Sequence, residues 1–173
     1  MLVIGLNHGE LNASAAVFQD GRIVAGAPEE RFNRQKLTRL FPHGAMQYCL
    51  EHVGVGLQDV DSVAQAWNPG ALWQKYNPVI STHRTRREDY FYSIPDHLLN
   101  LVDREPGEWV SMEFPKSSAM PRVYFINHHL THAANAFFLS PFEDAAILTA
   151  DWRGEFECMN AGVGTGSDIE IHQ

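Results

Sequence analysis

Cysteine is scarce in this chain: two in 173 residues, Cys49 and Cys158. That is too few for a disulfide framework or a cysteine-rich zinc site, and both are read as buried, reduced thiols. No apolar run reaches the roughly 18 residues a membrane span needs. The N-terminus, Met1-Leu2-Val3-Ile4-Gly5, opens in a strand-like pattern without the basic stretch of a signal peptide. A cytoplasmic protein without a membrane partner is expected. Positive charge is also in short supply, with 13 Lys and Arg against 21 Asp and Glu and a formal charge of −8. Nucleic acid wants a basic face, so it is not expected as a partner. The one basic cluster, Arg84, Arg86 and Arg87 beside Tyr90, Phe91 and Tyr92, is too short to change that. There is no Gly-Lys-Ser/Thr, hence no P-loop, and no internal repeat or low-complexity tract.

What is present is an ordinary globular composition, 45% apolar and 20% charged, at a length that supports one domain with a core. Residues 2–7, 13–19 and 22–27 read as strands. Asp20-Gly21 is a hairpin turn between the last two, so the chain opens with an antiparallel meander. A charged segment follows, from Glu29 to Lys36. It reads either as a solvated face or as a place where Arg31, Arg34 or Lys36 reaches an anion. Residues 43–53 read as a helix with Met46, Cys49, Leu50 and Val53 on one face, stopped by Gly54. A fourth strand is expected at 61–67. Residues 70–119, with a short helical candidate at 95–102, read as an inserted excursion. Then come a strand at 123–126, a helix at 128–138, and strand candidates at 145–150, 157–164 and 169–172. This order is mixed α/β, with a mixed sheet and flanking helices. It matches a ribonuclease-H-like domain, the half-domain of the actin, sugar-kinase and Hsp70 architecture. Residues 1–173 are read as a single such half-domain.

The chemistry concentrates in Asn127-His128-His129-Leu130-Thr131-His132-Ala133-Ala134. His128 and His132 are four apart, so a helix puts both imidazoles on one face. Asp151 ends the apolar run Ala145-Ala146-Ile147-Leu148-Thr149-Ala150. Two readings compete. His128 caps the helix and His132 packs in the core, or the pair binds a divalent metal together with Asp151. The second is favoured because a carboxylate at the end of a buried strand costs several kcal/mol unless it is paired or metal-bound. His129 points about 100° away from His128; it is a poor co-ligand that could face a substrate. Glu155 reads as a turn residue rather than a ligand. The loop from Gly5 to Ser14 could offer backbone N–H groups to phosphate or be an ordinary hairpin loop.

These stretches together resemble the O-carbamoyltransferase family, which includes nodulation-factor and antibiotic-tailoring enzymes. Asn12-Ala13-Ser14-Ala15-Ala16-Val17 with Asp20-Gly21-Arg22-Ile23-Val24 resembles the family's opening hairpin. Glu29-Glu30-Arg31-Phe32-x-Arg34-x-Lys36 resembles its Glu-Glu-Arg-Phe motif. The segment from His128 to Phe138 resembles its His-His-x-x-His-Ala signature, and Asp151 with Gly154-Glu155 its Asp-Gly-x-Gly-Glu turn. The resemblance implies a domain related to the tRNA threonylcarbamoyl-transfer proteins. It implies transfer of a carbamoyl group from carbamoyl-adenylate, made from carbamoyl phosphate and ATP, to the hydroxyl of a small-molecule acceptor. It also implies a divalent metal, iron by family, held by His128, His132 and Asp151. His8 and His129 would serve as catalytic groups, and Lys36 and Gly154 would lie at the nucleotide.

Three departures stand out. Trp152 and Arg153 replace small residues of the turn. Asn135 replaces the family's serine. Family members are several times longer, so a further half-domain and an adenylate-forming domain are expected elsewhere, and this chain by itself is expected to be inactive. The rival readings are a non-catalytic ribonuclease-H-like module that acts through self-association or a partner chain, and a His-x3-His hydrolase. The hydrolase lacks the glutamate of His-Glu-x-x-His.

Overall fold

The computed structural model describes residues 1–8, 12–68, 109–112, 121–155 and 157–172. The opening meander is β1 (Leu2–Asn7), β2 (Ser14–Gln19) and β3 (Arg22–Pro28), paired antiparallel in sequence order. Asp20 and Gly21 both take positive φ, 51° and 78°, as a two-residue turn matched to strand twist requires. A single helical turn, α1 (Glu30–Asn33), leads to α2 (His43–Val53). Met46, Cys49, Leu50 and Val53 pack on the face carrying Leu2, Ile4, Leu6, Ala15 and Val17, and this is the main core. At the N-terminal end of α2 the buried carboxylate of Glu29 accepts the N–H of Ala45 at 2.8 Å and of Gly44 at 3.3 Å. That part of the charged segment is therefore a helix cap rather than a solvated face.

β4 (Ser62–Gln65) lies parallel to β1, and β6 (Arg122–Ile126) parallel to β4. The strand order β3-β2-β1-β4-β6 is the ribonuclease-H-like, mixed α/β arrangement expected from the sequence. Two features differ from that expectation. β5 (Trp109–Met112), inside the supposed excursion, pairs antiparallel with β6 at the sheet edge. The rest of that excursion, including Arg84, Arg86, Arg87 and the helix expected at 95–102, lies outside the described residues. The closing strands also do not join this sheet. With β5 on the edge of β6, β7 (Asp144–Ala150), β8 (Met159–Thr165) and β9 (Asp168–His172) pair with one another as a separate antiparallel sheet.

Between the two sheets runs α3 (His128–Phe138). His129, Ala133 and Phe137, four apart, face the second sheet, where Ile147, Ala145, Ile169 and Ile171 complete a small core. Phe137 lies over Gly164 so closely that a Cβ there would sit 2.6 Å from its ring. Burial alternates along β7 and β8, which leaves Leu148, Met159 and Val163 exposed on the outer face. Cys49 is buried, as expected. Cys158 is exposed, because it sits in the loop before β8 rather than in either core. Among the described residues no helix is long and apolar enough to cross a membrane.

Candidate metal centre

The segment from His128 to Phe138 is helical because it holds three alanines and no glycine or proline. Its first turn presents His128 and His132 along one edge. β7 ends at Ala150, and the next residue, Asp151, meets that edge. His128 Nε2 is 2.8 Å from Asp151 Oδ2, His132 Nε2 is 2.9 Å from the same oxygen, and the two Nε2 atoms are 3.0 Å apart. Three donors in a near-equilateral triangle have a common point at about 2.1 Å from each, with donor–ion–donor angles of about 85–90°. Two imidazoles and one carboxylate are a donor set that could hold a divalent first-row metal ion.

The protonation states suit it as well. Hydrogen bonds from His128, then His132, then the Trp152 N–H at 2.5 Å hold the Asp151 carboxyl well below the usual carboxylate range. Burial pushes His128 down and outweighs the pull of Asp151. An ionised carboxylate and a neutral imidazole are the forms a cation needs. His132 and Asp151 remain exposed enough for an ion and a further ligand to reach them.

His129 does not share this centre. It is 1% exposed, with Nδ1 2.7 Å from Thr149 Oγ1 and Nε2 3.1 Å from the Glu157 carbonyl. The carbonyl can only accept, so Nε2 carries the proton and Nδ1 accepts from the hydroxyl. Both nitrogens are used in tying α3 to the second sheet. At about 100° from His128 the ring faces packing rather than solvent. Gly154 is explained by the same ring, since a Cβ there would lie 2.6 Å from His129 Cδ2. Glycine is required at 154 by His129, a role distinct from the expected nucleotide contact. Lys36 stands in an exposed ion pair with Glu30 at 3.3 Å, outside the residues that line the cleft described next. His8 packs its ring 5.1 Å from that of Phe41, and burial lowers its pKa; it too is not among the three converging donors.

The sequence reading missed two features. Glu155, taken for a turn residue, is a buried carboxylate that accepts the N–H of His128 at 2.9 Å and of Asn68 at 2.8 Å. Burial pushes its carboxyl up, opposed by those N–H groups. The second is a cleft of about 900 Å³ between the first sheet and α3. Gly26, Ala16, Gly5 and Ala64 line up straight across four strands, and their small side chains leave the space that Thr131, Asn135 and Phe138 overlook. Such a row can be found only once strand register is known. Asn7, Asn12 and Ser14, from the polar loop suggested for phosphate, also line the cleft. Trp152 and Arg153 stand beside the centre: the guanidinium lies 5.6 Å from the ring of Trp67, and that ring lies 5.0 Å from His128.

The chain is 34% identical over 159 residues to the nodulation protein NolNO of Sinorhizobium fredii, covering 92% of the chain and 22% of that protein. It is 29% identical over 185 residues to protein sll1178 of Synechocystis, covering 98% of the chain and 28% of the relative. It therefore spans about a quarter of the length of these curated relatives. Among solved structures it matches YeaZ from Pseudomonas aeruginosa with a TM-score of 0.48 and 14% identity, covering 99% of the chain and 64% of that structure. The family model described as carbamoyltransferase N-terminus matches residues 3–173, a span that takes in the histidine pair, Asp151 and both sheets, and the chain belongs to that family.

Proposed function

We propose that this chain is the N-terminal part of an enzyme that transfers a carbamoyl group from carbamoyl-adenylate, itself made from carbamoyl phosphate and ATP, to the hydroxyl of a small-molecule acceptor. His128, His132 and Asp151 would hold a divalent cation, iron foremost. The observation that carries the reading is the convergence of their three donor atoms to within 3.0 Å of one another.

When bound, the ion would supply positive charge against phosphate and carbamoyl oxygens. The chain's own residues would position the ion and the bound group. The two imidazoles and the carboxylate fix the ion's place. Asn7, Asn12, Thr131 and Asn135 offer polar contacts around the cleft, which orients a bound group. The Arg153 guanidinium lies 5.6 and 6.0 Å from the rings of Trp67 and Trp152, where it could meet an anionic group. His8, whose lowered pKa favours the neutral ring, is the proposed acceptor of the hydroxyl proton. His129 is committed to packing and takes no part.

The test is metal content. The chain, stripped with chelator and reloaded anaerobically with Fe(II), should hold close to one equivalent by elemental analysis, and His132→Ala should hold far less. Equal content in the two proteins would overturn the proposal.

A further inference from the structure

Among the described residues two carboxylates are buried, Glu29 and Glu155. Each caps a helix from outside it. Glu29 serves α2 and touches no candidate ligand. Glu155 serves α3, and the peptide N–H it grips belongs to His128 itself, at 2.9 Å to one oxygen and 3.1 Å to the other. One of those oxygens also takes the Asn68 N–H at 2.8 Å, just beyond β4. Asn127 precedes the helix but makes no side-chain cap to it; its Oδ1 accepts from the Asn68 side-chain amide at 2.8 Å. The start of α3 is therefore fastened from 27 residues away, by a group on the same five-residue turn that opens with Asp151.

We propose that Glu155 is a positioning residue of the metal centre. By clamping the His128 and Asn68 peptide N–H groups it fixes the first turn of α3 where His128 meets Asp151. The inference rests on the metal reading above. The turn carries one ligand at its first residue and the clamp at its last, so the carboxylate sets the distance between the helix and the exit of β7. Groups that orient ligands from behind are typically worth about 10- to 100-fold in metal affinity.

Glu155→Gln replaces a carboxylate that accepts on both oxygens with an amide that has one acceptor and an NH2 turned toward a peptide N–H. Co(II) titration of the chain, followed by visible absorption, should give a Kd about 10- to 100-fold weaker for Glu155→Gln than for the wild type. Glu29→Gln, the equivalent lesion at the other helix, should stay within about twofold. If Glu155→Gln does not fold without metal, Glu155→Asp replaces it: the charge stays but the side chain is one methylene too short to reach both donors, and the same loss is expected. Unchanged Co(II) affinity would overturn the clamp while leaving the metal reading intact. Equal weakening by Glu29→Gln would reduce the effect to general destabilisation and overturn it too. A wild type that binds no better than His132→Ala would overturn both the clamp and the metal reading.

Discussion

Replacing His129 by alanine separates a structural imidazole from a catalytic one. The ring is 1% exposed, so its removal leaves a void of about 65 Å³, worth roughly 1.5 kcal/mol if the site does not collapse. It also removes the 2.7 Å bond to Thr149 and the 3.1 Å bond to the Glu157 carbonyl, about 1 kcal/mol each. The sum is about 3.5 kcal/mol, a large share of the 5–15 kcal/mol that holds a domain together. At about 2–4 °C per kcal/mol for a chain of this size, the melting temperature should fall by roughly 7–14 °C. Urea unfolding followed by circular dichroism measures the free energy, with an unchanged m-value as the check on two-state behaviour. Thr149→Val supplies a double-mutant cycle and should show about 1 kcal/mol of coupling to His129. Co(II) affinity of the folded fraction should stay near the wild-type value. A loss below about 1 kcal/mol, or a stable His129→Ala protein that no longer binds Co(II), would refute the packing role.

Gly164→Ala puts a methyl group against the ring of Phe137 and should cost about 1–3 kcal/mol, read in the same urea titration; a neutral result would mean that α3 can lift from the second sheet without penalty. Without metal, stability should fall on acidification from pH 7.5 to 5.5. His8 and His128 both have lowered pKa values, so the unfolded chain takes up more protons in that window and their contribution, present above about 6.5, is lost as pH drops. Glu155, raised by burial, works the other way, and Asp151 loses its contribution only below its ordinary carboxylate range. A melting temperature in EDTA that rises on acidification would contradict this. Finally, a thiol reagent should modify Cys158 rapidly and Cys49 only on unfolding, since burial closes off Cys49 and pushes its thiol up; two fast equivalents would refute the placement.

Much of the fold was legible because its signals are local. Asp20-Gly21 dictates its own turn, and the apolar stripe Met46, Cys49, Leu50 and Val53 can be buried only as a helix. The convergence of His128, His132 and Asp151 was legible for a related reason. Helical spacing joins His128 to His132, and a strand that ends in aspartate announces a carboxylate at a sheet edge. What escaped depends on tertiary partners. Nothing near Glu155 in sequence shows that it caps a helix 27 residues upstream. His129 looked available because its partners, Thr149 and the Glu157 carbonyl, come from β7 and the loop before β8. The sheet edge formed by β5 comes from four residues in a stretch without a clear pattern, and which strands pair with which is set by tertiary contacts.

The exposed side of the second sheet has a bearing on handling. Leu148, Met159 and Val163 stand with Ala146, Ala150 and Ala161 on paired strands and give water a flat, oily plate. Charge elsewhere, −8 in total, keeps molecules apart in dilute, low-salt buffer. Added salt shortens the reach of that repulsion and leaves the plate as it was, so the chain's colloidal behaviour should worsen with ionic strength.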